Sequence, residues 1–144
     1  MPVLAPPAMQ MTQLLGAVKD AMLDDMRDAV TAAGYGEIRA AHACVFRYLH
    51  PDGTRMSDMA EQARMTKQAF GEHVAYLEQH GFVQRVPDPE DGRAKLVVPT
   101  DKGAECLAVA HASFKRTESH WADRVGAERV EGLRATLTEI LSLT

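Results

Sequence analysis

Residues 65–103 read MTKQAFGEHVAYLEQHGFVQRVPDPEDGRAKLVVPTDKG, and their period changes once. From Thr66 to about His80 the apolar positions Phe70, Val74 and Leu77 recur at helical spacing, with Ala69 and His73 flanking them. Lys67, Gln68, Gly71, Glu72 and Ala75 are left facing outward. Thr66 is placed to cap this helix, and Gly81 is its natural stop. Beyond Gly81 the pattern alternates. FVQRV and AKLVV read as two strands joined by PDPEDG, with Asp91-Gly92 as the turn signal and Pro99 as the end of the second strand. A capped helix followed directly by a hairpin is a helix with a wing.

The residues on either side extend this reading. Upstream, SDMAEQA forms a short helix with Ser57 as its expected N-cap. Arg64-Met65 make a tight link to the next helix, so the pair is a helix-turn-helix. Before it, Ile38 to Leu49 reads as a helix stopped by the turn His50 to Thr54. A longer helix spans Met9 to Ala33, with Met11, Leu14, Leu15, Val18, Met22, Met26, Ala29, Val30 and Ala33 on one face. Gly34 and Gly36 end it, and MPVLAPPA ahead of it is expected to be a frayed arm. Downstream, Thr100 opens a long helix, Gly126 interrupts, and Ala127 to about Ser142 forms the last helix. The expected fold is mainly α with a small β-hairpin. A winged helix-turn-helix core at about 37–103 is flanked by terminal helices at about 9–33 and 104–143.

Composition narrows the function. The 144 residues carry a formal net charge of −4, so global charge does not announce a nucleic-acid partner. Between Arg55 and Gly103 the acids match or slightly exceed the bases, and any attraction to DNA must be local. Two cysteines, Cys44 and Cys106, are too few for a disulfide framework or a cysteine-rich zinc site. There is no basic leader before an apolar run and no apolar stretch near membrane-spanning length, so the expected location is the cytoplasm. The six histidines make no HExxH pair, and no GxSxG, P-loop or GxGxxG motif is present. No catalytic residue, metal or cofactor is expected.

The outward face of the 66–80 helix suits a major groove. Gln68 can pair with adenine, and Lys67 can donate to guanine or to phosphate. Arg64, Thr66, Gly71 and Glu72 lie on or beside that face. Arg93, following Gly92, is the expected wing tip, directed by Asp91 into a narrow minor groove. Lys95 is placed for flanking phosphates. The plain alternatives are a solvated helix face and a surface Asp–Arg pair.

Residues 65–103 resemble the MarR family of transcriptional regulators. The likeness rests on the recognition helix, the Leu77-Glu78-x-x-Gly81 hinge, and a wing pattern formed by Asp88, Pro89, Asp91, Arg93, Thr100 and Gly103. It implies a homodimer on a double-stranded, pseudo-palindromic operator, with the first and last two helices pairing across the dimer axis. It implies a ligand-responsive repressor, with DNA contacts from Arg64, Thr66, Lys67, Gln68, Gly71, Glu72, Asp91, Arg93 and Lys95. A family-like cleft for a small aromatic effector would draw on Arg27, Tyr35, His42, Phe46 and Arg47. The apolar stripes of the terminal helices independently exceed what a small winged core can cover, which is how an interface reads. Redox sensing through Cys44 or Cys106, a winged helix used only for protein contacts, and a small helical enzyme are the other classes.

Overall fold

A computed structural model describes residues 9–144; the arm expected at MPVLAPPA lies outside the described residues. Six α-helices and three strands follow in the order α1 (Met11–Ala32), α2 (Ala43–Tyr48), β1 (Thr54–Arg55), α3 (Met56–Gln62), α4 (Lys67–Gln79), β2 (Val83–Pro87), β3 (Lys95–Pro99), α5 (Asp101–Val125) and α6 (Ala127–Ser142). Among the described residues no helix is long and apolar enough to cross a membrane.

The chain divides into two compact units, 27–110 and 1–26 with 111–144. The first has a closed core of Val45, Met59, Phe70, Val74, Leu77, Phe82, Val83 and Val97, all essentially inaccessible to water. Phe70, Val74 and Leu77 supply the buried face of α4, as their spacing predicts. The sheet has the order β1-β3-β2 and is antiparallel throughout. In the second unit α6 buries no residue completely. Every large hydrophobic side chain strongly exposed among the described residues belongs to this unit: Met11, Leu15, Val18, Val125, Leu133, Ile140, Leu141 and Leu143.

Three local expectations are corrected. The helix expected over 38–49 is a short 3-10 turn, Ala40–His42, running into the six-residue α2. Arg39 has extended φ and ψ of −103° and 164°, so helical geometry cannot begin before it. Ser57 is not the cap of α3; Arg55 occupies that seat and Ser57 lies inside the helix. The strand β1 lies partly in the stretch read only as a turn, because two residues are too short for any period to show. The wing strands are joined by a loop over 88–94, in which Asp91-Gly92 make the expected turn, with the Ala94 N–H donating to the Asp91 carbonyl at 3.0 Å, and the Asp88 N–H donates to the Ala94 carbonyl at 3.0 Å.

The ends of these elements follow their residues. Gly34 and Gly81 sit at positive φ after α1 and α4, where the chain turns back. After α4 the Phe82 N–H reaches the Leu77 carbonyl at 2.9 Å and the Gly81 N–H reaches Glu78 at 3.0 Å. This double closure aims the chain straight into β2, so the wing starts at a fixed angle from α4.

Candidate nucleic-acid interface

The helix-turn-helix is locked at both ends of its turn. The Thr66 hydroxyl accepts the Ala69 N–H at 3.1 Å, which satisfies one of the free amides that open α4. At the end of α3 the Met65 N–H returns to Ala60 at 2.9 Å and the Arg64 N–H to Glu61 at 3.0 Å. The residue that completes this closure is usually glycine, because its φ must be positive. Here it is Arg64, at φ 55°. The turn therefore holds an exposed arginine in a backbone geometry unfavourable for its type.

On α4, Lys67, Gln68, Glu72 and Ala75 are exposed, in line with the helical reading. Gly71 departs from it. It is only half exposed, and a Cβ there would meet the Met56 sulfur at 3.6 Å. Its carbonyl accepts the Arg85 guanidinium at 3.4 Å. Gly71 thus faces α3 and β2 as much as solvent. Glu78, read only as part of a hinge, accepts the Arg85 backbone N–H at 3.0 Å, and its other oxygen lies 3.8 Å from Arg85 Nε. Arg85 and Glu78 bolt the wing to α4.

The wing departs from expectation in one respect. The Asp91 carboxylate takes the backbone N–H of Arg93 at 3.0 Å, and no ion pair joins the two side chains among the described residues. Asp91 shapes the loop rather than aiming the guanidinium. Asp88, read only as part of a pattern, is nearly buried at 6% exposure. Its Oδ2 lies 2.6 Å from Arg55 Nε, and its Oδ1 accepts the Glu90 N–H at 2.9 Å. The Glu90 N–H and then the Arg55 guanidinium hold the Asp88 carboxyl below the usual carboxylate range. Sequence reasoning missed Arg55 because nothing in a linear pattern links positions 33 residues apart.

These ion pairs consume two acids and two bases of the region. Arg64, Lys67, Arg93 and Lys95 are exposed and enter no ion pair among the described residues. Asp88 and Glu78 are occupied by Arg55 and Arg85. Asp58, Glu61, Glu72, Glu90 and Asp91 stay exposed on the same elements.

Of the five residues expected to line an effector cleft, two share a partner ring. Tyr35 and Phe46 both pack edge-on against Phe82, with ring centroids 6.0 and 6.4 Å away, and the Tyr35 hydroxyl donates to Glu105 at 3.1 Å. His42 is buried and stacks on Tyr76 of α4 at 4.1 Å. Arg47 lies over the Tyr48 ring beside a shallow depression also lined by Leu49, His50, Thr54 and Gln62. Arg27 is half-buried in the last part of α1. The thiols are poorly suited to redox sensing, since reactivity needs the thiolate. Burial pushes the Cys106 thiol up to about 11 and also raises Cys44, whose Sγ donates to the Ala41 carbonyl.

Known proteins share this fold. The MarR family model matches residues 38–94. The HTH-type transcriptional regulator YdgJ of Bacillus subtilis (strain 168) is 30% identical over 93 residues, 65% of this chain and 54% of that protein. The chain spans about half the length of the curated relatives it matches. A MarR-family transcriptional regulator from Rhodococcus sp. RHA1 superposes with a TM-score of 0.70 at 23% identity, over 93% of this chain and 94% of that one. A mutant of S. aureus MepR bound to an oligodeoxyribonucleotide superposes with a TM-score of 0.58 at 21% identity, over 93% and 97%. Residues 38–94 thus match the MarR family model, and the fold is that of MarR-family winged helix-turn-helix structures.

Proposed function

We propose that this chain is a sequence-specific DNA-binding transcriptional regulator, acting in the cytoplasm as a homodimer on a pseudo-palindromic operator. The observation that carries the reading is the set of four exposed cations Arg64, Lys67, Arg93 and Lys95, which enter no ion pair among the described residues and are spread over the turn, the helix start and the wing. Lys67 and Gln68 open α4, where a recognition helix meets base edges. Arg93 and Lys95 flank the wing loop and reach the minor groove and its phosphates. The oligonucleotide held by the MepR mutant supports the same use of the fold. The exposed apolar residues of α1, α5 and α6 supply the dimer face, and two copies would set their recognition helices about 34 Å apart. A repressor released by a small aromatic effector is the regulatory form that the resemblance favours.

Salt dependence is the test. Four phosphate contacts per protomer, doubled in the dimer, give a log–log slope of affinity against salt of about −7. Arg93→Ala should weaken binding by about 1–3 kcal/mol and leave the dimer intact. Gln68→Ala should change base preference more than overall affinity. The exposed Glu61, Glu72 and Glu90 favour a second reading, a winged helix that contacts only proteins. A flat salt response would select that reading.

A further inference from the structure

Arg55 sits in the N-cap seat of α3, with extended φ and ψ of −63° and 133°, and its side chain makes no cap hydrogen bond. That seat favours Ser, Thr, Asp or Asn, whose short side chains satisfy a free helix amide. Arg55 does something else. Its backbone lies in β1, paired with Leu96 of β3, one residue beyond the wing loop's exit at Lys95. Its Nε reaches Asp88 Oδ2 at 2.6 Å, one residue beyond the end of β2 at Pro87. One residue therefore grips both feet of the wing.

Asp88 carries that grip into the loop. A carboxylate is buried at tolerable cost only when it is paired and hydrogen-bonded. Asp88 has the Arg55 guanidinium on one oxygen and the Glu90 N–H on the other. Its own N–H donates to Ala94, and its carbonyl accepts the Asp91 N–H at 3.2 Å. Asp91 in turn accepts the Arg93 N–H. An unbroken run of contacts thus leads from Arg55 to the backbone of Arg93.

We propose that Arg55 is the positioning residue of the wing: through Asp88 it holds the loop 88–94 in a single geometry and so presents Arg93 to DNA already ordered. The proposal rests on the DNA-binding reading above. A loop ordered before contact loses less conformational freedom on binding, so the tether acts on affinity without touching the duplex. Arg55 itself stays more than a third exposed at its side chain, and Asp88 is closed off, which suits a strap rather than a contact.

The full-length chain is tested on a labelled duplex that the wild type selects from a random-sequence pool. Arg55→Gln should weaken binding about tenfold, within the range for losing one specific contact. In an Arg93→Ala background the same change should weaken it less than about twofold, because the residue it acts through is gone. Amide exchange at Asp91, Arg93 and Ala94 should quicken in Arg55→Gln while the amides of α4 keep their protection. Arg55→Lys, which keeps the charge without the fixed fork, should recover part of the loss. If Arg55→Gln does not fold, Asp88→Asn enters the same cycle with the same expectation. An equal factor in both backgrounds, or unchanged exchange in the loop, overturns the proposal while leaving DNA binding in place. A wild type that retains no duplex overturns the DNA-binding reading and the proposal together.

Discussion

Gly103 of α5 lies against Phe82 so closely that a Cβ at position 103 would stand 1.9 Å from the Phe82 carbonyl oxygen. The same carbonyl accepts the Thr100 N–H at 3.1 Å, and the Thr100 hydroxyl accepts the Gly103 N–H at 3.1 Å. This is the physical content of the Thr-x-x-Gly pattern: the threonine caps α5, and the glycine lets the helix lie on the backbone where β2 begins. Lys102 completes the junction, donating to the His80 carbonyl at 2.9 Å and lying over the Phe82 ring. The obstacle is main chain rather than a movable side chain, so Gly103→Ala should cost about 1–3 kcal/mol of stability as an overpacking change. Urea denaturation of the purified variant reads this directly. A midpoint equal to wild type would mean that the approach is looser than described.

Arg64 offers a way to separate strain from charge. A left-handed backbone costs an L-residue about 1–2 kcal/mol, and glycine escapes that penalty. Arg64→Gly should therefore be more stable than Arg64→Ala by roughly 1 kcal/mol, after part of the gain is offset by the freedom of glycine in the unfolded chain. Both variants remove the same charge, so both should lose the same DNA affinity. Paired thermal melts and binding titrations check it, and Arg64→Ala equalling Arg64→Gly in stability would refute the strain.

Stability should fall with acidification in two windows. His42 is buried against α4, and its Nδ1 accepts the Arg39 N–H at 3.0 Å, which requires the neutral ring. Burial first, then the charges of His73, Arg39 and His80, hold its pKa below the ordinary 6.5. Its contribution is complete above that ordinary value and is lost as pH falls through the lower folded one. Asp88, held below its ordinary 3.8 by the Glu90 N–H and then Arg55, adds a second loss at more acid pH, once its carboxylate is protonated. Denaturation midpoints measured from pH 8 to pH 3 should decline in both windows, and His42→Phe should flatten the upper one. An upper decline that persists in His42→Phe would assign it to other groups.

The exposed apolar face of the terminal helices should be an assembly surface. Ile140 on α6 is half exposed, and Leu141 more than two-thirds. If the proposed dimer forms through this face, Ile140→Glu should leave the helical signal of the chain in place and give a monomer in sedimentation at micromolar concentration where the wild type is a dimer. An undiminished dimer would move the interface elsewhere.

The helix-turn-helix and hairpin were legible in the sequence because their signals are local. Phe70, Val74 and Leu77 mark a buried stripe by spacing alone, and Thr66 and Gly81 bound it by capping chemistry that needs no distant partner. Thr100 and Gly103 were visible as a pattern, though only the Phe82 carbonyl explains why the second must be glycine. The wing's cations were also legible, as residue types at a loop tip. What the linear order could not show is which charges are consumed. Asp88 and Arg55 are joined across the chain, and Glu78 is turned to Arg85. Likewise, Tyr35, His42, Phe46 and Arg47 looked like one group, while the fold sends two to Phe82, one to Tyr76 and one outward. Sequence determined the helix-turn-helix, the hairpin, the long terminal helices and the fold class, because periodicity and capping act over a few residues. Tertiary structure alone decided which acid neutralises which base and which aromatic rings meet, because those pairings depend on how strands and helices pack across tens of residues.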